Sequence, residues 1–274
     1  MPLIVVPTPI GNLRDITLRS LDALKEADII ACEDTRRTAK LLNHYGIRVP
    51  LISCHEYNER SRIEPLLERV EQGQKVVLVS DAGMPAISDP GYLIISSAIE
   101  RNLEVDVLPG PSSILTALLL SGLPPDAFVF LGFLPEKKKK RRTLLEEVAP
   151  LPWTLIFYIP PHDLQSTLEE LLEALGDRRA ALVREMSKLY QETLRGSISC
   201  LLEAARLESR KGELVLVVEG AKMVKVAEAW KEEALRLMSE KKSAKDVVSL
   251  VAERYGITKS AVKRWLRECA DEEG

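Results

Sequence analysis

Short apolar runs alternate with amphipathic helical segments throughout residues 1–121, and this alternation limits the possible folds more than any other feature. The apolar runs predict strands at Leu3–Val6, Asp28–Cys32, Leu51–Cys54, Lys75–Ser80 and Glu104–Leu108. The other segments predict helices at Thr17–Glu26, Arg36–Tyr45, Glu59–Gln72, Tyr92–Arg101 and Ser112–Ser121. Strands that alternate with helices form a parallel sheet with helices on both faces. Residues 1–121 are therefore predicted to be an α/β domain.

The pattern changes after the turn signal Gly122–Asp126. Strands are predicted at Ala127–Phe133, Trp153–Tyr158, Arg179–Arg184, Tyr190–Arg195 and Glu213–Val218, and helices at Leu164–Leu175 and Ile198–Leu207. The third and fourth of these strands have a short connection, which is typical of an antiparallel pair. Residues 122–221 are therefore predicted to be a second α/β domain with a mixed sheet.

From residue 222 onward the sequence predicts helices only, at Val226–Ser239, Ala244–Tyr255 and Lys259–Ala270. Gly256 suits a helix C-cap and Thr258 suits an N-cap, so the last two helices resemble a helix-turn-helix. Residues 241–268 hold eight Lys or Arg against three Asp or Glu. Residues 222–274 are therefore predicted to be a small, basic helical domain.

Composition limits the classes of function and location. The chain has 274 residues and a formal net charge of −3, so any nucleic-acid role must depend on local basic patches. Its four cysteines lie far apart and its three histidines lack metal-ligand spacing, which predicts free thiols, no metal site and a cytoplasmic location. The amino terminus lacks the pattern of a signal peptide, and no apolar run reaches the length of a membrane span.

Two loops rich in glycine and proline follow predicted strands of the first domain, at Val79–Pro85 and Val107–Ser113. Ligands of an open parallel sheet lie beyond the carboxyl ends of its strands. Glycine and proline make such loops rigid and expose their backbone donors and acceptors. Neither loop fits a consensus for holding a nucleotide by its phosphates. The loops therefore predict a site for a small polar molecule.

A series of motifs resembles one enzyme family. In chain order, the motifs are Pro7–Thr17, Glu33–Arg36, Ser80–Pro85, Asp89–Gly91, Leu108–Pro111, Gly132–Pro135, Lys211–Glu213 and Val218–Gly220. The series is similar to the S-adenosylmethionine-dependent methyltransferases of the tetrapyrrole-methylase superfamily. Within it, the resemblance is to the branch that methylates the ribose 2′-hydroxyl of a cytidine in the decoding region of bacterial 16S ribosomal RNA. The carboxyl-terminal helices also resemble that branch.

The resemblance implies a homodimer with S-adenosylmethionine in a cleft between two α/β domains. Its implied partner is small-subunit ribosomal RNA or the assembled small subunit. The implied cofactor-binding residues are Pro9, Asp81, Gly83, Met84, Pro85, Ile87, Pro109, Gly110, Ser112, Ser113, Tyr158, Ile159, Arg184, Glu185, Glu219 and Gly220.

Glu33, Asp34 and Arg36 are the candidate catalytic residues. A hydroxyl is a poor nucleophile, so a base or a polarising group is expected within hydrogen-bond reach of it. Glu33 and Asp34 follow the second strand, on the ligand side of the sheet. His55-Glu56 follows the third strand in the same way. For all these carboxylates, capping of the next helix remains an open alternative.

Ten basic residues are predicted to contact RNA phosphates: Arg37, Lys137, Lys138, Lys139, Lys140, Arg141, Arg142, Lys259, Lys263 and Arg264. The run 137–142 follows a motif of the family within an otherwise slightly acidic chain. The alternatives are a solvated loop for this run, a solvated helix face for Arg37, and packing or DNA reading for the carboxyl-terminal helices.

Two positions depart from the family's pattern. Met84 stands where the branch commonly has a small hydroxyl residue, which can alter a side-chain hydrogen bond to the cofactor. Ile159-Pro160-Pro161 precedes His162, where the family usually has a glutamate and a small residue. Neither change removes the expected backbone contacts of the two loops.

Two other functions remain open. A methyltransferase of this family could act on a small tetrapyrrole, although such a substrate would need neither the 137–142 run nor a basic tail. A non-catalytic ribosome-binding factor could keep the same fold, and failure to bind the cofactor would distinguish it from an enzyme.

Overall fold

The computed structural model of the chain describes residues 2–208, 212–221, 226–240, 242–255 and 257–272. Within these ranges it contains ten β-strands and eleven α-helices. Lys211 of the predicted motif Lys211–Glu213 and Gly256, the predicted C-cap, lie outside the described residues.

The apolar runs of residues 1–121 form the first sheet. Its strands are β1 (Leu3–Val5), β2 (Ile29–Cys32), β3 (Leu51–Ser53), β4 (Val76–Val79) and β5 (Val105–Val107). They lie in the order β3-β2-β4-β1-β5, and every neighbouring pair is parallel. The predicted parallel sheet is confirmed.

Helices cover both faces of this sheet because its strands are apolar on both faces. The helices of this half are α1 (Leu18–Glu26), α2 (Thr35–His44), α3 (Glu59–Glu71), α4 (Tyr92–Glu100) and α5 (Ser113–Ser121). Successive side chains of a strand point to opposite faces. In β4, Val76 and Leu78 join a core cluster with α3 and α4, whereas Val77 and Val79 join a cluster with α1 and α2.

The second sheet is mixed, as the sequence predicts. Its strands are β6 (Phe128–Phe133), β7 (Thr154–Ile159), β8 (Arg179–Arg184), β9 (Glu192–Ser197) and β10 (Leu214–Val218). They lie in the order β6-β7-β10-β8-β9, in which β6 and β7 are parallel and the other pairs are antiparallel.

Helices also cover the second sheet on both faces. One face packs against α6 (Lys138–Val148), α7 (Leu164–Leu175) and α8 (Ile198–Leu207). The other face packs against α5, whose Ala117 and Leu118 are buried beside Ile156, Val183 and Val215. Helix α5 therefore belongs to the core of the second sheet, although it follows the last strand of the first.

Helix α6 was not among the predicted helices. Its first five residues are basic, and its buried residues are Leu145 and Val148. Two buried positions near one end do not produce the periodic apolar stripe that identifies a helix. The predicted basic run 137–142 therefore forms the start of this helix.

The chain divides into two compact units, Met1–Gly220 and Ala221–Gly274. The second unit contains α9 (Val226–Ser239), α10 (Ala244–Tyr255) and α11 (Lys259–Glu272). These helices enclose a core of their own, in which the rings of Trp230 and Trp265 meet edge to face at a centroid distance of 5.0 Å. The hydroxyl of Thr258 accepts a hydrogen bond from the backbone N–H of Ala261 at 3.4 Å, near the start of α11.

A membrane span would need a long apolar helix. Across the described residues, no helix combines the length and the hydropathy that a span requires.

Glu59 is a buried carboxylate that stabilises the start of α4. It is 7% exposed, and its Oε1 accepts hydrogen bonds from the backbone N–H groups of Gly91 and Leu93, both at 2.9 Å. The first N–H groups of a helix lack partners within the helix, so an acceptor from α3 satisfies two of them. Glu59 thereby fixes the end of the loop that connects β4 to α4.

We predict that Glu59→Ala lowers the free energy of unfolding by about 2–4 kcal/mol, because the N–H groups of Gly91 and Leu93 lose their acceptor. Glu64→Ala is the matched control on the same helix. Glu64 is paired with Arg101 at the surface, where solvent screens the pair, so its loss should destabilise the protein much less. Urea denaturation of both variants measures the difference, and equal losses would show that Glu59 is not a structural anchor.

Candidate active site between the two sheets

A cavity of about 470 Å³ lies between the two sheets of the first unit. This volume falls within the range of about 300–1,000 Å³ that is usual for small-molecule sites. The first half of the unit contributes polar and loop residues: Ile10, Glu33, Arg37, Asp81, Ala82, Gly83, Met84, Ile87, Ser88, Asp89, Ser112, Ser113 and Ile114. The second half contributes mainly apolar residues: Phe133, Tyr158, Ile159, Pro160, Pro161, Met186, Gly212, Glu213, Leu214 and Val215.

The loops after β1 and β4 are joined to each other by backbone hydrogen bonds. Thr8 and Gly83 form an isolated antiparallel bridge, with each N–H donating to the other residue's carbonyl at 2.9 Å. The buried hydroxyl of Thr8 also donates to the carbonyl of Ser80 at 3.1 Å. Gly83 has a φ of +80°, a conformation that glycine adopts at little cost. The floor of the cavity is therefore a rigid backbone surface.

The loop between β4 and α4 contains strained backbone. Ala86 and Ser88 have φ values of 68° and 63°, which are unfavourable for residues with a Cβ atom. The loop is closed by a hydrogen bond from the N–H of Ala86 to the carbonyl of Pro90 at 3.2 Å, and by Glu59 at its end. Strain of this kind persists where surrounding contacts enforce it, and it is common at functional sites.

Three carboxylates and one guanidinium line the first-half wall of the cavity: Glu33, Asp81, Asp89 and Arg37. Arg37 pairs with Asp81 at 3.2 Å, and the same carboxylate accepts the backbone N–H of Asp34 at 3.0 Å. The side chain of Asp81 is therefore held in place by two donors. The wall has three carboxyl groups against one guanidinium, so it is negative wherever Glu33 or Asp89 is ionised, and this charge attracts a cationic ligand.

The remaining two carboxyl groups, Glu33 and Asp89, have raised pKa values. Burial raises the pKa of Glu33, and the charge of Asp81 raises it further. Burial raises the pKa of Asp89 to about 7, and repulsion from Glu33 and Asp81 adds to the effect. A carboxylate with this pKa exchanges its proton near neutral pH, which is the property required of a general base under those conditions.

Asp34 and Arg36, which the sequence also indicates as catalytic, do not line the cavity. The carboxylate of Asp34 accepts the N–H of Arg36 at 2.8 Å and thereby caps α2. It also pairs with the exposed guanidinium of Arg36 at 2.8 Å. The side-chain hydrogen bond from Arg36, followed by the backbone hydrogen bond, lowers the pKa of Asp34 to about 2. Asp34 therefore makes the capping contact that the sequence left open as an alternative, and Arg36 is its ion-pair partner.

Eight of the predicted cofactor-binding residues line the cavity: Asp81, Gly83, Met84, Ile87, Ser112, Ser113, Tyr158 and Ile159. The other eight lie outside its lining: Pro9, Pro85, Pro109, Gly110, Arg184, Glu185, Glu219 and Gly220.

Gly110 has a packing role in the loop after β5. A Cβ atom at this position would lie 2.5 Å from Cγ of Pro7. The glycine therefore allows the loops after β1 and β5 to approach each other closely. A larger residue would disturb this contact before it reached the cavity.

The predicted residues of β8 and β10 lie in two different places. Arg184 and Glu185 lie at the cavity end of the second sheet, where Arg184 is in register with Leu214. The carboxylate of Glu185 is held by Lys188 Nζ at 2.8 Å and by the N–H of Glu213 at 3.0 Å. Glu219 and Gly220 follow the opposite end of β10, about 15 Å from Leu214 at the usual rise of a strand.

Tyr158 connects the two halves of the site. Its hydroxyl is 2.7 Å from that of Ser113, at the start of α5. Its ring packs between Phe130 and Phe133, with centroid distances of 5.0 and 5.3 Å. Burial raises the pKa of Tyr158, so its hydroxyl stays protonated at neutral pH. The tyrosine therefore supports the second-half wall as a neutral group.

The predicted RNA-binding residues are placed on several surfaces. Lys137, Lys138, Lys139 and Lys140 are exposed at the start of α6, and Lys259, Lys263 and Arg264 are exposed on α11. Arg141 has a structural role, because it donates to the carbonyl of Pro135 at 2.9 Å and pairs with Glu170. Arg142 pairs with Glu146 at 2.7 Å.

Several lining residues were not predicted from the sequence. Asp89 begins the motif Asp89–Gly91, and this motif was the sequence signal that could have identified it as a site residue. Phe133, Met186, Leu214 and Val215 are apolar residues of strands and connections. Nothing in an apolar side chain distinguishes a cavity wall from a core, so these positions required the tertiary structure. His55 and Glu56 do not line the cavity.

Comparison with known proteins places this geometry in a family. A family model described as tetrapyrrole (corrin/porphyrin) methylases matches residues 2–202. Among solved structures, uroporphyrin-III-C-methyltransferase from Thermus thermophilus has a TM-score of 0.57 at 19% identity and covers 79% of this chain and 93% of its own. Diphthine synthase has a TM-score of 0.60 at 17% identity and covers 80% of this chain and 90% of its own. These likenesses show the fold.

Relatives of higher identity share one name, ribosomal RNA small subunit methyltransferase I. The protein of that name from Halalkalibacterium halodurans is 49% identical over 84% of this chain and 80% of its own length. The one from Escherichia coli O157:H7 is 43% identical over 97% of this chain and 94% of its own length. The match of the family model and the extent of these similarities confirm the resemblance seen in the motifs: the chain belongs to the tetrapyrrole methylase family.

Proposed function

We propose that this protein transfers a methyl group from S-adenosylmethionine to the ribose 2′-hydroxyl of a cytidine in the decoding region of bacterial 16S ribosomal RNA. The observation that carries the proposal is the similarity over nearly the whole chain to proteins named ribosomal RNA small subunit methyltransferase I. The cavity supports it with a rigid backbone floor, a negative wall and a half-buried carboxylate of suitable pKa.

The residues of the cavity fit the proposed methyl donor. S-adenosylmethionine combines a cationic sulfonium with a carboxylate, a ribose and an apolar adenine face. Asp81, Glu33 and Asp89 complement the cationic part, and the N-terminus of α5 at Ser113 suits an anionic group. Leu214 and Val215 offer an apolar wall. When bound, the donor supplies an electrophilic methyl group.

The chain's own residues then have three tasks. The joined loops after β1 and β4 orient the donor, because their hydrogen bonds leave them little freedom. The apolar second-half wall excludes water. Asp89, with Glu33 beside it, accepts the proton that the ribose hydroxyl loses as its oxygen attacks the methyl group.

Nucleoside mass spectrometry tests the function directly. Small-subunit ribosomal RNA from cells that lack this gene should lack one 2′-O-methylcytidine, and the purified protein with S-adenosylmethionine should restore it. Unchanged nucleosides would contradict the proposal. The predicted homodimer, the cytoplasmic location and the RNA contacts of Lys259, Lys263 and Arg264 stay predictions.

The pH dependence of methyl transfer should reveal the proton acceptor. An acceptor must be deprotonated, so kcat/KM should rise with pH and level off above about 7, the pKa of Asp89. Glu33→Gln removes a negative charge that raises this pKa, so the rise should move to lower pH. Asp89→Asn should lower kcat at least tenfold and abolish the rise.

A direct titration of Asp89 distinguishes a change in its pKa from a loss of activity that has a structural cause. The carboxyl carbon of Asp89, followed by NMR in the free protein, should titrate near pH 7 and shift downward in Glu33→Gln. The control Glu64→Gln changes a surface carboxylate and should leave the titration unchanged. Charged groups that face Asp89 are Glu33 and Asp81, with Arg37 paired to Asp81. A pH profile unaltered in Asp89→Asn would assign the proton to another group.

Gly83→Val should weaken S-adenosylmethionine binding more than tenfold, because it places a branched side chain in the cavity floor. Gly73→Val is the matched control. The φ of Gly73 is +81°, close to the +80° of Gly83, and a Cβ atom on Gly73 would have no other atom within 4 Å. Both variants should lose similar stability, of about 1–2 kcal/mol. Calorimetry that shows equal cofactor affinity in the two would place the donor elsewhere.

Replacement of Lys137, Lys138, Lys139 and Lys140 by glutamine should weaken RNA binding and flatten its salt dependence. Each phosphate contact that is lost should reduce the slope of log K against log salt by about 0.7–0.9. Four exposed cations outside α6 serve as a control for net charge when they are replaced by glutamine: Lys25, Arg48, Arg60 and Arg69. Cofactor affinity should not change. An unaltered slope would mean that the four lysines are solvated and do not contact RNA phosphates.

A further inference from the structure

An exposed aromatic ring stands at the mouth of the cavity. Phe133, the last residue of β6, is 55% exposed and lines the cavity. Its ring rests against Tyr158 at a centroid distance of 5.3 Å and an interplanar angle of 58°. The mechanism described above does not use this ring.

A β-bulge produces the position of Phe133. Along β6 and β7, Phe130 pairs with Ile156 but Gly132 pairs with Phe157, so the register shifts between them. In a regular strand, Phe130 and Phe133 would point to opposite faces. The bulge brings both rings to the same side, where each contacts Tyr158. Bulges are frequent beside active sites because they redirect a side chain.

Gly132 makes the bulge possible at this place. It has a φ of +62°, and a Cβ atom there would lie 3.1 Å from the hydroxyl oxygen of Ser88, in the strained loop of the first half. The glycine therefore accommodates both the bulge and the close approach of that loop. The support of the ring by Tyr158 is fixed in turn by the hydrogen bond to Ser113. Phe133 is thus held in place before any ligand binds.

We propose that Phe133 is a stacking platform for the nucleobase of the methyl-accepting nucleotide. This inference rests on the proposed function. Aromatic rings bind unstacked bases in single-stranded RNA, and positive side chains beside them bind the phosphates. Four exposed lysines begin four residues after Phe133, at Lys137. A base stacked on this ring brings its own ribose towards the carboxylate wall of the same cavity.

The exposure of the ring favours a base of the RNA over the adenine of the donor. A small cofactor in a cavity is mostly enclosed by its walls. Leu214 and Val215 are buried and offer such a wall, whereas Phe133 is open to solvent. Loss of RNA affinity in a Phe133 variant would indicate a base of the RNA, whereas loss of cofactor affinity would indicate the adenine of the donor.

Phe133→Leu keeps an apolar side chain and removes the aromatic face. It should raise the KM for the RNA substrate at least tenfold and leave S-adenosylmethionine affinity unchanged, whereas Phe133→Trp should keep the wild-type KM. Phe128→Leu is the matched control, at the other end of β6 and 39% exposed, and it should change neither value. An unchanged KM in Phe133→Leu, or a loss confined to cofactor affinity, would overturn the inference.

A binding measurement separates this inference from the proposed function. A cytidine oligonucleotide that contains the fluorescent base pyrrolocytosine should be quenched by the full-length wild-type protein and by Phe133→Trp, but much less by Phe133→Leu. Quenching does not require methyl transfer. A wild type that quenches the probe but methylates no ribosomal RNA would refute the function and retain the platform, and equal quenching by Phe133→Leu would refute the platform alone.

Discussion

All five strands of the first sheet run in one direction, and the site depends on this constraint. Parallel strands place every following loop at the same edge, so the loops after β1, β2, β4 and β5 meet there. The bridge between Thr8 and Gly83 then fixes two of these loops against each other. Helix α5 leaves the same edge and packs on the second sheet. The cavity therefore forms where one sheet ends and the other begins.

The pKa values of the acidic residues at the cavity depend on which of them have hydrogen-bond or ion-pair partners. Asp34 caps a helix, which lowers its pKa, and Asp81 pairs with Arg37. Glu33 and Asp89 face these groups from half-buried positions, where burial together with repulsion raises their pKa values. A wall of this kind attracts a cation and accepts a proton near neutral pH, which are the two properties that transfer of a methyl group from a sulfonium to a hydroxyl requires.

Part of the site was predictable from local chemistry. Asp81, Gly83, Ser112 and Ser113 follow strands in glycine- and proline-rich loops, and all four line the cavity. Glu219 was predicted from a motif, but β10 is antiparallel to its neighbours, so this residue follows the end of the strand that is remote from the cavity. The sequence did not predict helix α6, because a basic run followed by two buried positions lacks the apolar periodicity of an amphipathic helix.

The sequence by itself determined the two sheets, the parallel direction of the first and the rigid loops at its edge, because apolar periodicity and turn residues act locally. The tertiary structure alone decided which carboxylates are free to take a proton and which ring faces the cavity. Those properties arise between residues far apart in the chain: Asp89 is affected by Glu33, and Phe133 is redirected by a bulge and supported by Tyr158. A pKa and the direction of a side chain depend on such neighbours, and folding is what brings them together.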